Sequence, residues 1–333
     1  HIARYQSLDF VYSNSAWLLV STLSQMPSNW RPFFGFSNWA GVAANPLTNT
    51  MDTAISFKWE TNVFGQTIGA FNLPLAEFAL RGIPITKLYF RGIALCGLFP
   101  FAGLSPMTTH VVLEGTRFGG HFRPSELPIT VQWLDIGSTL MVWDPNDYFN
   151  KESQLQYLSA SSIAAFTRHM PSDFFAALPP LLTNIALQSI GISGPLPSLA
   201  NDVGVWNTSL QTIYLDSNDL HGDISEWYAD GLPYTLQTLS LSGNVGISGF
   251  MNLHRCRVLD SCPNVQLSSI DVDHTSVTGT LTLRDMPSML TFIDASDTLL
   301  FGDVNLTVLA IDTSHRIHPS SPPQLMDGID ALT

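Results

Sequence analysis

The sequence predicts an α/β solenoid: about ten stacked turns, a parallel sheet on the concave side, and a helical, aromatic N-terminal cap. Three observations carry this. An apolar-x-apolar triplet recurs along most of the chain, at intervals of roughly twenty to thirty residues. An Asn, Thr or Ile follows it at a fixed distance. A Gly then comes four residues later in most copies. No single turn of this size can bury its own apolar face, so neighbours must stack.

The elements follow in chain order. Residues 1–51 do not repeat. Leu8, Phe10, Val11, Trp17, Leu18, Leu19, Val20 and Leu23 have spacing suited to an amphipathic helix, and Trp30 and Trp39 follow. A helix with large aromatics can cover the open end of the first turn. The array, residues 52–316, opens on Ile55-Phe57-Val63-Gly65-Ile68. Leu88-Phe90-Ile93-Leu95-Gly97 and Val111-Leu113-Thr116-Phe118-Gly120 are regular copies. Leu134-Ile136-Thr139-Met141 and Leu158-Ala160-Ile163-Ala165 are degenerate and lack the Gly. Leu182-Ile185-Leu187-Ile190-Ile192-Gly194 and Leu210-Ile213-Leu215-Asn218-Leu220-Gly222 are clean, and Leu239-Leu241-Asn244-Ile247-Gly249 carries one extra residue. Ile270-Val272-Thr275-Val277-Gly279 and Ile293-Ala295-Thr298-Leu300-Gly302 follow, and Ile311 starts a last, broken turn. Residues 317–333, with Pro319-Ser320-Ser321-Pro322-Pro323, read as a tail or linker.

The physics of the unit is local. The triplet is a short strand with its two apolar side chains inward and the residues between and after them outward. The Gly permits a reversal that a side chain would obstruct. Asn218 and Asn244 are expected to bond backbone groups of neighbouring turns. Thr116, Thr139, Thr275 and Thr298 at the same place can donate one hydrogen bond, and Ile93, Ile163 and Ile190 none, so the polar ladder is broken.

The unit resembles the plant-type leucine-rich repeat. Trp39-Ala40-Gly41-Val42 before the first turn resembles the N-terminal cap of that family, and the wording is similar to the surface-antigen and proteophosphoglycan repeat proteins of kinetoplastid protozoa. That resemblance implies a binding scaffold. The family cap carries a disulfide from two cysteines flanking this motif; Ser37 and Ala44 stand there, so no such staple is implied.

Composition narrows the function classes. A formal charge of −13 with only 14 Lys plus Arg excludes a broad basic face for nucleic acid. Charged residues make up 12% of the chain, about half the usual share. A surface so poor in charge calls for a glycan coat or for burial in a multi-subunit or polymeric assembly. No apolar run reaches about eighteen residues, so no transmembrane segment is expected. The chain opens on His1, which fits removal of a signal peptide or an organelle presequence.

Candidate sites are few. Asp216, Asp271, Asp273, His274, Asp294, Asp297 and Asp312 fall at outward places of the last turns and predict an acidic ridge. Strands stack about 4.8 Å apart, so like charges there raise one another's pKa values, dock a basic partner or recruit cations. Cys256 and Cys262 share the longest spacer, either as a disulfide or as two free thiols; with His254 they lack a fourth ligand, and no metal site is assigned. Asn207 and Asn305 head glycosylation sequons. No phosphate loop, nucleophile elbow or nucleophile–base pair stands out, and no cofactor is expected. The expected function is a non-catalytic scaffold for protein–protein contacts on a cell surface or in an extracellular assembly. The alternative is a structural subunit of a large organelle or cytoskeletal complex.

Overall fold

The computed structural model describes residues 85–92, 95–167, 169–197, 209–225, 227, 232–233, 235–251, 266–280 and 289–301. Four short strands, Val42–Ala43, Thr53–Ser56, Phe71–Asn72 and Arg316–Ile317, are described beyond these. The helical cap, Trp17, Trp30 and Trp39 fall outside the described residues. The chain divides into two compact units, His1–Ala165 and Phe166–Thr333.

Each unit is a parallel β-solenoid. In the first, the triplets form a ladder through Thr53–Ser56, Ile85–Tyr89, His110–Val112, Trp133–Asp135 and Tyr157–Ser159. In the second, the ladder runs Asn184–Ala186, Thr212–Tyr214, Thr238–Ser240, Ser269–Asp271, Phe292–Asp294 and Arg316–Ile317. The strand closing this second ladder thus lies beyond Ile311. Inward residues pair with inward residues: Leu88 with Val111, Val111 with Leu134, Ile213 with Leu239, and Ile270 with Ile293. Leu88, Val111, Leu134, Leu158, Ile185, Ile213, Leu215, Leu239 and Ile270 are fully buried.

A second parallel ladder, beyond the one sheet the periodicity suggested, forms around the Gly. It runs Phe71–Asn72, Leu95–Leu98, Arg117–Phe122 and Leu140–Trp143 in the first unit. In the second it runs Ser193–Pro195, Asp219–Asp223, Gly246–Phe250, Ser276–Thr280 and Leu299–Phe301. The Gly sits inside this ladder with positive φ: +90° at Gly120 and +138° at Gly279. A Cβ at Gly279 would lie 2.9 Å from the Met251 carbonyl oxygen of the preceding turn. Only hydrogen fits there.

The α part of the expected α/β class is corrected. Among the described residues of the first unit the spacers are loops and short 3-10 turns, such as Phe101–Gly103 and Pro124–Glu126, and in the second unit the described helical positions are only Ser225 and Trp227. Spacers this short, punctuated by Pro100, Pro106, Pro124 and Pro128, cannot recover the cost of helix nucleation. The degenerate turns prove regular. Met141 pairs with Gly120 in the second ladder and is buried, and Phe166, one residue beyond the expected Ala165, fills the core.

The broken polar ladder behaves as its chemistry requires. Asn218 Oδ1 accepts from the backbone N–H groups of Ile190 and Ile192, at 3.2 and 3.1 Å, and its amide donates to the Leu187 and Leu215 carbonyls. The hydroxyls of Thr116, Thr139, Thr275 and Thr298 each donate one bond, to the carbonyl three residues back. Ile190, which has nothing to donate, has its N–H satisfied by Asn218 of the next turn.

One regularity went unread in the sequence. The residue before the Asn, Thr or Ile position has φ between +50° and +73° in the described turns: Gly92, Gly115, Ser138, Ser162, Ser189, Ser217, Gly243, His274 and Asp297. Gly meets this left-handed conformation freely, and among other residues Asn, Asp and His adopt it most readily. His274 and Asp297 are the departures from Gly and Ser.

Candidate functional site

The outward face of the triplet ladder differs between the units. In the first, Lys87, His110, Trp133 and Tyr157 occupy one register column. The rings of Trp133 and Tyr157 stack with centroids 3.7 Å apart and planes 7° from parallel. His110 lies parallel to Trp133 at 6.4 Å. Trp133 is nevertheless 39% exposed. The stack follows from the ladder: identical columns bring flat side chains into face-to-face contact without backbone adjustment.

The adjoining column holds Tyr89, Val112, Asp135 and Ser159. Asp135 Oδ1 accepts the Gly137 backbone N–H at 3.1 Å. Burial raises the Asp135 pKa, opposed by that hydrogen bond, and Glu114 pushes it up further. Burial also raises Tyr157, with the Asp135 charge adding to it. His110 is lowered, first by burial and then by Lys87. Glu114 pairs with Arg91 at 2.5 Å. This aromatic strip escaped the sequence reading, although an aromatic at one column in three successive turns is a visible signal.

In the second unit the structure gathers part of the predicted ridge. Asp271 and Asp294 are register partners. Asp271 is pushed up mainly by burial, and Asp216, Asp294 and Asp273 add to the shift. These carboxylates are not plain solvated groups. Asp271 Oδ1 accepts the Asp273 N–H, Asp294 Oδ1 accepts from the Ser296 N–H and hydroxyl, and Asp216 accepts the Ser240 hydroxyl. Asp271 and Asp294 each cap the turn that follows, as Asp135 does, whereas Asp216 reaches across to the neighbouring strand. His274 and Asp297 stand off this row in the left-handed column. His274 Nδ1 lies 2.7 Å from Asp273 Oδ2, and its Nε2 lies 3.1 Å from Asp297 Oδ2. Asp312, Asn207, Asn305, Cys256 and Cys262 lie outside the described residues.

The His274 pKa is raised by its hydrogen bond and charge attraction to Asp273, with Asp297 and Asp294 adding. A base raised on folding contributes stability that is fully present below its ordinary value of 6.5 and is lost as pH rises through the folded value. An NMR titration should therefore place the His274 midpoint above 6.5, and Asp273→Asn should bring it back toward that value. A midpoint at or below the ordinary value in the unmodified chain would contradict the bridge.

The paired ladders, the Asn/Thr column and the left-handed turn define a solenoid of the leucine-rich-repeat type. No family model and no curated protein matches the chain. Solved structures do share the fold. A plant ice-binding protein superposes with a TM-score of 0.68 at 18% identity, over 95% of this chain and 96% of that one. A plant peptide hormone receptor, RGFR1 in complex with RGF2, gives 0.55 at 21% identity, over 71% of this chain and 37% of the receptor. A leucine-rich repeat protein of Leptospira interrogans gives 0.50 at 15%, over 72% and 56%. The narrower kinetoplastid resemblance is not supported by these structures. What they share is the turn geometry of the array, and Trp39-Ala40-Gly41, on which the narrower wording leans, lies outside the described residues.

Proposed function

We propose that this chain is a non-catalytic scaffold whose triplet-ladder face contacts another protein or an extended peptide. The observation that carries the reading is the outward strip of Trp133, Tyr157 and His110 beside Asp135 and the Arg91–Glu114 pair. Trp, Tyr and Arg are the side chains in which contact energy concentrates at protein interfaces. Trp133 and Tyr157 lie outside the inward triplet positions and face out. The solved receptor with its bound RGF2 supports the same use of the fold. Asp135, Asp271 and Asp294 cap turns and Glu114 and Asp273 pair with bases, which supports binding over catalysis.

The wider reading keeps about ten turns, a cap over residues 1–51 and a tail from 317. It places the protein on a cell surface or in an extracellular, multi-subunit assembly, with an organelle or cytoskeletal complex as the alternative. Glycan mass on Asn207 or Asn305 of the native protein separates these. The acidic row, with Asp312 as its extension, favours a basic partner.

The test uses basic, neutral and acidic extended peptides against the full chain. Trp133→Ala should weaken binding by about tenfold or more, the scale of a lost interface anchor. Replacing Asp271, Asp273 and Asp294 together with Asn should slow association with the basic peptides and flatten its salt dependence, because exposed charges are screened over about 10 Å at 0.1 M. Equal binding by all variants would refute the assignment of this face.

A further inference from the structure

The second ladder has an outward face of its own, and the two units charge it oppositely. In the first unit its outward places hold Arg117, Gly119 and His121 beside Leu98 and Leu140. The strands of this ladder contain no Asp or Glu. In the second unit the outward places hold Asp219 and Asp223 beside Phe250, Leu299 and Phe301, and the strands contain no Lys or Arg. Leu98, Leu140, Phe250, Leu299 and Phe301 are each at least 48% exposed. We propose that the chain associates with a second copy of itself, the second-ladder face of the first unit in one copy packing on that of the second unit in the other.

Register shapes both faces alike. Leu98, Gly119 and Leu140 form one column, and Phe250, Thr278 and Leu299 form another. Each runs large, small, large, so two apolar ridges about 9.6 Å apart, two strand spacings, flank a notch. A ridge of one column can enter the notch of the other. The polar groups of the second-unit face need no water. The hydroxyls of Ser276 and Thr278 donate to the Val245 and Gly249 carbonyls of the preceding turn, at 2.8 and 3.1 Å. Covering them leaves no donor unpaired. Arg117 has no ion-pair partner among the described residues, so its guanidinium can meet Asp219 or Asp223. Apolar contact supplies the affinity, and the opposite charges select which faces meet. Two copies with a formal charge of −13 each repel at long range, so a contact between them needs such a local match. Both halves of that match lie on this one chain, which is why the occupant is a second copy. The contact gives a surface to the multi-subunit reading above, on which it rests, and uses a different ladder from the peptide face.

The experiment is sedimentation equilibrium of the full chain over a concentration series near neutral pH. The expected result is a mass that rises above the monomer with concentration. Phe250→Asp and Leu140→Asp should each weaken association by about tenfold or more. Leu181→Asp, at an exposed apolar residue outside the second ladder, should leave it within about twofold. Arg117→Glu alone, and Asp219→Arg with Asp223→Arg alone, should each weaken it, because like charges then face each other. An equimolar mixture of these two variants should restore it, because each altered face meets its opposite on the other chain. Far-UV circular dichroism establishes that each variant is folded. A chain that stays monomeric at every concentration while still binding peptides would overturn this contact and leave the peptide reading standing. Association unchanged in Phe250→Asp and Leu140→Asp, or not restored in the mixture, would also overturn it.

Discussion

Replacing Asn244 with Ala is expected to destabilise the protein by about 2–4 kcal/mol, measured as a shift in the denaturant midpoint. Asn244 is fully buried. Its Oδ1 accepts the Leu220 N–H at 3.1 Å, and its amide donates to the Leu215 and Leu241 carbonyls at 3.0 and 2.7 Å. Truncation leaves the buried Leu220 N–H without this acceptor and removes one donor each from the Leu215 and Leu241 carbonyls, which keep the Asn218 amide and the Asn244 backbone N–H respectively. Asn244→Thr is the informative companion. Thr275 occupies the same place in the next turn and donates to the Val272 carbonyl at 2.6 Å. A Thr at 244 can keep the Leu241 bond but cannot accept from Leu220, so its loss should be intermediate. Equal losses for Ala and Thr would mean that packing, and not hydrogen bonding, decides this position.

Phe122→Ala should cost about 3–5 kcal/mol, the range for emptying a buried aromatic site. Phe122 is 1% exposed and meets three rings: Phe101 at 5.2 Å, Trp143 at 5.4 Å and Phe149 at 6.3 Å. All three contacts are edge-on, the arrangement that aromatic quadrupoles prefer. Phe101 from one neighbouring turn and Trp143 and Phe149 from the other cannot collapse into the void without moving their strands. Leu140, of comparable hydrophobicity and on the neighbouring strand, is 58% exposed, and Leu140→Ala should change stability by less than about 0.5 kcal/mol. Similar costs for the two substitutions would mean that the first unit lacks this aromatic core.

Much of the repeat was legible because it is a local code. Leu215, Leu241 and Ile270 are buried where their spacing placed them, and the Gly at 120, 194, 222, 249 and 279 adopt the positive φ expected of reversals. The site was less legible. Asp271 and Asp294 were found by their column, but their work as turn caps was not. Trp133 and Tyr157 went unnoticed because they fill an outward column in turns that looked degenerate. His274 and Asp297 were assigned to the ridge, whereas the left-handed backbone carries them off it and toward each other.

By itself the sequence determined the solenoid class, the inward residues, the Asn and Thr hydrogen-bonding chemistry and the poverty of charge. These depend on side-chain period and on the donors each residue carries, and both are properties of a few consecutive residues. Only the tertiary structure decided the second ladder, the left-handed column, the Trp133–Tyr157 stack and the Asp273–His274–Asp297 convergence. These depend on which residues of adjacent turns share a register, across spacers of variable length. Register is set by the collective fit of the cores and ladders, so no single turn encodes it.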